Sequence, residues 1–146
     1  MTGDEAVTAT SVFDVTPGGD AEWATFPGNG DSQWGAAAFT PDGTVVSAGR
    51  DGTLTVWDGE TGRVTSQLPA PTGRDEDPTV RLLDVSGDGT LVAGTRRFPD
   101  SATVWDLAEQ RIVSDIRPAG GAVTAAWSKA GPVLVIAGED GAARIV

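Results

Sequence analysis

The chain has 146 residues, the length of one ordinary domain, and its 39% of hydrophobic residues is enough for a packed core. It has no cysteine and no histidine, which excludes disulfides, zinc–thiolate centres, imidazole metal ligands and serine–histidine triads. The net charge of −11 argues against binding to nucleic acid or to an anionic membrane, because both require a basic surface. The acidic start does not resemble a signal peptide, and no apolar stretch is long enough to span a membrane, so we expect a cytoplasmic protein.

Short apolar runs rich in β-branched residues recur along the whole chain, and Gly, Pro or Asp separates them at intervals of about 8 to 12 residues. This is the pattern of antiparallel strands joined by tight turns, and no window shows a helical stripe. In chain order we predict two strands before residue 28, four over 28–70, four over 71–118 and three over 119–146. The sequence therefore predicts an all-β protein with about 13 strands.

The strand pattern contains an internal repeat. The pair Trp57-Asp58 recurs as Trp105-Asp106 after 48 residues. The similar pair Phe13-Asp14 stands 44 residues before Trp57-Asp58. Val146 occupies the place of Trp57 in a further copy, 41 residues after Trp105. These spacings fit a four-stranded unit of about 40 to 45 residues, with an insertion in the second unit.

The turns repeat together with the strands. The run FTPDGT at Phe39–Thr44 corresponds to VSGDGT at Val85–Thr90 and to WSKAGP at Trp127–Pro132. Asp-Gly at the tip favours a tight hairpin, because glycine accepts a positive φ. Asp84–Gly89 also resembles the first half of a calcium loop, but Thr95 stands where such a loop needs a glutamate. We therefore interpret that stretch as a hairpin.

The stretch from Phe39 to Gly62 resembles a blade of the WD-repeat β-propellers, with FTPDG, AGRDGT (Ala48–Thr53) and VWD (Val56–Asp58) in register. The resemblance covers about 7–146 and implies four-stranded antiparallel blades. Blades of this family often carry a Gly-His pair before the first strand, and its histidine ties Asp, Ser or Thr, and Trp into a buried network. This chain has Gly28-Asn29-Gly30 near that place. The blades must therefore be held mainly by packing and hairpin hydrogen bonds.

The resemblance divides the chain into blades. Residues 1–27 are predicted to form the last two strands of a preceding blade, 28–70 blade one, 71–118 blade two, and 119–146 a third blade without its fourth strand. About 13 strands are too few for a closed ring, which takes four to eight blades. We therefore expect a partial propeller, completed either by a longer chain or by further copies of this one.

Five residues are predicted to be structural. Asp51, Asp100 and Asp140 stand at equivalent places just before third strands. A catalytic or metal-binding role would require these three to converge, whereas the resemblance makes each of them a partner of nearby turn amides. Trp57 and Trp105 end third strands, and we expect both rings in the core.

The loops that join fourth to first strands and second to third strands share one face of a propeller, which commonly binds partners. In blade two, the inserted second-to-third loop places two arginines beside an aromatic ring, residue types that are enriched at interface hot spots. The alternative is that these arginines pair with the neighbouring acidic run or are solvated. The candidate partner-binding residues are Arg96, Arg97, Phe98, Asp75, Glu76, Asp77, Arg50, Asn29 and Gln33.

The sequence marks no catalytic centre, cofactor site or metal site. The resemblance implies a non-catalytic protein-interaction scaffold or sensor module that binds other proteins. The chain has nine arginines and one lysine, a ratio that resembles the amino-acid usage of high-GC bacterial genomes. We therefore expect this chain to be part of a larger bacterial protein. One alternative is a structural unit whose copies form a homo-oligomeric ring. A less favoured alternative is a carboxylate-based enzyme, which lacks a convergent pair of acids.

Overall fold

The computed structural model describes residues 10–14, 21–26, 36–49, 51–71, 78–97 and 100–146. Thirteen strands and no helix occur in these ranges, which accordingly contain no helix long and apolar enough to cross a membrane. The strands are β1 (Thr10–Asp14), β2 (Ala21–Phe26), β3 (Ala36–Phe39), β4 (Val45–Ala48), β5 (Leu54–Trp57), β6 (Val64–Leu68), β7 (Val80–Val85), β8 (Leu91–Arg97), β9 (Asp100–Asp106), β10 (Arg111–Ile116), β11 (Thr124–Trp127), β12 (Leu134–Ala137) and β13 (Ala143–Ile145).

The strands form antiparallel sheets in chain order. β1 pairs with β2; β3–β6 form a four-stranded sheet, called the first sheet here, and β7–β10 form a second one. β11–β13 form the three-stranded third sheet. The predicted all-β class, the antiparallel four-stranded units and the strand number are thereby confirmed. The blade boundaries after residues 27, 70 and 118 stay a prediction.

Tight hairpins join the first and second strands of each four-stranded sheet. Gly43 and Gly89 have φ values of 89° and 77°, a conformation that favours glycine at both turns. The Thr40 amide closes the first hairpin by donating to the Thr44 carbonyl at 2.8 Å. These turns keep the strands short and stack their apolar faces in register.

The core lies between neighbouring sheets. Every residue of β4 and β5 is buried, as are the five central residues of β9, which explains why these strands are nearly continuous apolar runs. A first cluster joins the first and second sheets through Val46, Leu54, Leu68, Val80, Val92 and Trp105. A second cluster joins the second and third sheets through Ala93, Ala102, Val104, Ala122, Leu134 and Ile136.

The two core tryptophans have different hydrogen-bond partners. Trp57 is 4% exposed and donates its indole N–H to the Ser47 hydroxyl at 2.8 Å within the first sheet. Gly94 takes the place of Ser47 in the second sheet, where it pairs with the corresponding threonine. The indole N–H of the fully buried Trp105 donates instead to the Pro69 carbonyl of the preceding repeat, at 2.8 Å.

A third tryptophan, Trp127, joins the third sheet to the second. Its ring is half-buried and donates to the Asp84 carbonyl at 3.0 Å. Its backbone amide donates to the Asp84 carboxylate at 2.7 Å. Asp84 thus fixes the first strand of one sheet beside the first strand of the next.

The third sheet has an exposed apolar face. Val135 pairs with Ile145 just as Val46 pairs with Val56 in the first sheet. The first-sheet pair is 0% and 8% exposed because the second sheet covers it, whereas Val135 and Ile145 are 37% and 76% exposed. The third sheet therefore presents to solvent the same face that the first sheet buries.

Candidate protein-binding face

Most of the predicted partner-binding loops fall outside what the structure describes. This holds for Asn29, Gln33, Arg50, Asp75, Glu76, Asp77 and Phe98. Arg97 ends β8 opposite Asp100, and its side chain also lies outside the described part. A role of these residues in partner binding stays a prediction.

Arg96 is described, and the structure corrects its predicted role. The sequence suggested an exposed inserted loop, but β8 continues to Arg97 and carries Arg96 into the second sheet. Only 1% of Arg96 is exposed, so its guanidinium offers no surface to a partner.

Arg96 instead ties three strands of the second sheet together. Its Nη2 lies 3.1 Å and 3.2 Å from the two carboxylate oxygens of Asp115 on β10. Its Nε donates to the Thr103 hydroxyl on β9 at 3.3 Å, and that hydroxyl donates to Asp115 at 3.0 Å. Arg117 adds a bond to Asp115 at 3.0 Å from outside. This cluster supplies a partly buried polar network in a chain without histidine.

The environment of Asp115 keeps its carboxylate charged. Burial raises the pKa of Asp115, but the hydrogen bonds from Arg117, Thr103 and Arg96 outweigh it and hold the pKa below its usual value. The buried guanidinium therefore faces a full negative charge at neutral pH.

The three predicted structural aspartates do not form one metal-binding group in the described part of the chain. Asp51 accepts a hydrogen bond from the Thr53 amide at 3.0 Å, and Asp140 accepts one from the Ala142 amide at 3.0 Å. Asp100 begins β9 opposite Arg97. Among the described residues, no group of three or more acidic side chains is placed to hold a metal ion.

Two equivalent turns carry aspartates that the sequence analysis did not single out. Asp42 Oδ1 accepts bonds from the Thr40 hydroxyl and from the Thr44 amide, the latter at 3.1 Å. Asp88 Oδ1 accepts bonds from the Ser86 hydroxyl at 2.8 Å and from the hydroxyl and amide of Thr90 at 2.7 Å and 3.0 Å. These bonds lower the pKa of both aspartates, with the Thr40 and Thr90 hydroxyls contributing most. The stretch Asp84–Gly89, which resembles the first half of a calcium loop, is thus the end of β7 followed by a hairpin.

The turns between third and fourth strands point to the same side of the sheets. Asp58 accepts hydrogen bonds from the Glu60 and Thr61 amides at 2.8 Å and 2.9 Å, and Asp106 accepts one from the Glu109 amide at 2.9 Å. We call this side the hairpin face. In the described turns its acidic residues are Asp42, Asp58, Glu60, Asp88, Asp106 and Glu109, and its basic residues are Arg63, Arg111 and Lys129.

A groove of about 450 Å³ opens on the hairpin face between the first and second sheets. Asp42 and Asp88 are its only charged lining residues in the described part of the chain, so we call it the acidic groove. Its apolar surface comes from Pro41, Val56 and Leu107. The remaining lining residues are Thr40, Thr44, Thr65, Ser66, Gly89, Thr90 and Ala108.

The next groove around the same face has a different charge. It encloses about 360 Å³ between the second and third sheets, and its lining carries Lys129 as well as Asp88. The turn of the third sheet has Lys129 and Ala130 at the positions of Pro41 and Asp42 in the first turn. The second turn has Gly87 and Asp88 there. Opposite charges meet in this second groove, whereas the acidic groove has only negative ones.

A sequence signal for the turn aspartates existed. Both turns place a hydroxyl residue two positions before and two positions after the aspartate, as Thr40, Asp42, Thr44 and as Ser86, Asp88, Thr90. Side chains of this kind hydrogen-bond to nearby turn groups. The link between Arg96 and Asp115 had no such signal, because 19 residues separate them.

The fold and its repeating turns agree with the comparisons. A family model described as "WD domain, G-beta repeat" matches residues 22–58, which end at the Trp57-Asp58 pair. The chain belongs to the WD-repeat family, and its sheets are propeller blades. Proteins of this family act as protein-interaction scaffolds.

Two named relatives resemble most of the chain. Telomerase protein component 1 of Rattus norvegicus is 32% identical over 109 residues, which are 73% of this chain and 4% of that protein. Small ribosomal subunit protein RACK1y of Oryza sativa subsp. japonica is 29% identical over 120 residues, 75% of this chain and 33% of that protein. The chain therefore spans one third or less of these curated relatives.

Solved structures show the same fold. The WD40 repeats of RRP9 superimpose with a TM-score of 0.63 at 22% identity, covering 75% of this chain and 34% of that one. The dihydro-heme d1 dehydrogenase NirN superimposes with a TM-score of 0.60 at 22% identity, covering 87% and 30%. At these identities the likeness concerns the fold alone.

Proposed function

We propose that this chain is a non-catalytic protein-interaction module and that the hairpin face carries the contact. The observation that carries the proposal is the acidic groove, a concave site with apolar lining and two fixed carboxylates. A concave site with apolar lining and a few fixed polar groups is typical of binding sites. We further propose a larger bacterial, cytoplasmic protein as the setting; the arginine-rich usage supports the bacterial origin.

The proposal is tested by comparing the proteins that co-purify with tagged variants from the native host. Asp42→Arg with Asp88→Arg reverses the charge of the acidic groove, while Glu139→Arg reverses the charge of an exposed acid in the opposite loops. We expect at least one protein to be lost with the groove variant and retained with the control. Identical sets of partners from all three samples would refute a contact through the hairpin face.

A second candidate function is assembly into a ring. The exposed pair of Val135 and Ile145 supports it, because the equivalent pair in the first sheet is covered by a neighbouring blade. A second copy or a longer chain would supply that cover. Light scattering after gel filtration tests the first source: a defined oligomer that becomes monomeric in Ile145→Glu supports self-assembly, and a monomer at all concentrations refutes it.

A further inference from the structure

The two carboxylates of the acidic groove stand on turns that lie against each other. The two turns that carry its carboxylates touch, because a Cβ built on Gly89 would lie 3.2 Å from the Pro41 ring. Asp42 and Asp88 directly follow and precede these two contact residues. The carboxylates are thus presented by adjoining turns at the edge of a single groove.

Each carboxylate keeps one oxygen for a ligand. The turn hydroxyls and amides within hydrogen-bond distance of Asp42 and Asp88 donate to Oδ1 in both residues. The hydroxyls and amides that bind Oδ1 also lower the pKa of both groups, so both are charged at neutral pH. The turns therefore hold two negative charges in place without using up their acceptors.

The rest of the groove suits a long side chain with an apolar stem. Leu107, Val56 and Pro41 supply apolar surface, and the Thr65, Ser66 and Thr90 hydroxyls line it beside the carboxylates. Lysine and arginine bury their methylene stems on apolar surface and keep the charged group among polar ones. Arginine has five N–H donors in a planar fork, and it is enriched at interface hot spots.

We propose that the acidic groove receives an arginine side chain projecting from a partner protein, with its guanidinium between the Oδ2 atoms of Asp42 and Asp88. This inference rests on the proposed function and names the partner chemistry of its site. Charge complementarity carries it: the described lining of this groove has two acids and no base, whereas the neighbouring groove, which shares Asp88, is also lined by Lys129.

The test uses the ¹⁵N-labelled chain and the blocked peptide acetyl-Gly-Arg-Gly-amide, followed by amide chemical shifts. The control peptide replaces arginine by citrulline, which has the same shape without the charge. In Asp42→Asn with Asp88→Asn, Oδ1 remains an acceptor for the turn, and only the free carboxylate oxygen is replaced by an amide. The matched control is Glu60→Gln with Glu139→Gln, two exposed acids that do not line the groove.

We expect saturable shifts of the Thr65, Thr90 and Leu107 amides with the arginine peptide. Binding should weaken at least about tenfold for the citrulline peptide and for the double asparagine variant, and stay unchanged in the glutamine control. Equal shifts with both peptides, shifts elsewhere on the acidic surface, or no shifts would overturn the inference. If the peptide fails while the charge-reversed groove still loses its co-purifying protein, the arginine inference falls and the proposed function stands.

Discussion

Replacing Arg96 by methionine should destabilise the protein more than the same replacement of an exposed arginine. Breaking a buried ion pair by removing one partner costs about 3–5 kcal/mol, because the other charge loses its compensation. Asp115 keeps a second partner in Arg117, whose Nη2 lies 2.9 Å from its Oδ2. The Asp115 side chain is also 29% exposed to solvent. Because Asp115 stays in contact with solvent and with Arg117, we expect a smaller loss, about 1–3 kcal/mol, which is still a substantial part of the roughly 5–15 kcal/mol of an ordinary domain.

The assay is urea unfolding followed by tryptophan fluorescence, with Arg63→Met as the control. Arg63 is exposed at the end of the turn that leads into β6, and its replacement should change the free energy of unfolding by less than about 0.5 kcal/mol. Asp115→Asn and the double variant complete a mutant cycle. In the double variant neither charge is left buried, so its loss should be smaller than the sum of the single losses by about 1–3 kcal/mol.

Two results would refute this reasoning. A loss below about 1 kcal/mol for Arg96→Met would mean that the buried pair is not needed to hold β8 against β10. Additivity of the single effects within about 0.5 kcal/mol would mean that Arg96 and Asp115 act independently in solution.

Three further predictions concern the core and the response to acid. Gly94→Ala should lower stability by about 1–3 kcal/mol, because its Cβ would lie 3.0 Å from the Trp105 ring, whereas Gly131→Ala, with open space around it, should be neutral; chemical denaturation compares them. Trp57→Ala and Trp105→Ala should each lose about 3–5 kcal/mol in the same assay, and near-neutral melts would contradict their core role. The pKa of Asp115 is lower in the folded than in the unfolded state, so its contribution to stability is complete above pH 3.8 and is lost as the pH falls through the folded pKa. Tm should therefore decline less steeply with acid in Asp115→Asn than in the unaltered protein, and an equal decline would disprove this.

The repeating elements were predictable because each is encoded locally. The Asp-Gly turns set the hairpins at Gly43 and Gly89, and the apolar runs between them set the strands. Arg96 was not predictable, since its environment depends on how far β8 extends and on the register that brings β10 beside β9. A length of seven residues for β8, rather than the four of β4, changed an expected loop residue into a buried one.

The acidic groove was hidden from the sequence for a related reason. Asp42 and Asp88 are recognisable as turn residues, but they are 46 positions apart, and only the packing of one blade on the next brings their turns into contact. The sequence directed attention to the opposite loops, where the insertion and the charged runs lie. Composition shows where unusual residues are, whereas a site between repeats depends on ordinary residues at equivalent places.

The indole hydrogen bonds give the blade array a direction. Trp105 and Trp127 both donate to a carbonyl of the preceding repeat, at Pro69 and Asp84. Removing the repeat at the carboxyl end would leave only acceptors unpaired, the carbonyl and the carboxylate of Asp84, while removing one from the amino end would leave an indole donor without its partner in or near the core. Orphaned donors are the less tolerated of the two. Such an array is more tolerant of shortening from its carboxyl end, so repeats can be gained or lost there during evolution at a smaller cost in stability.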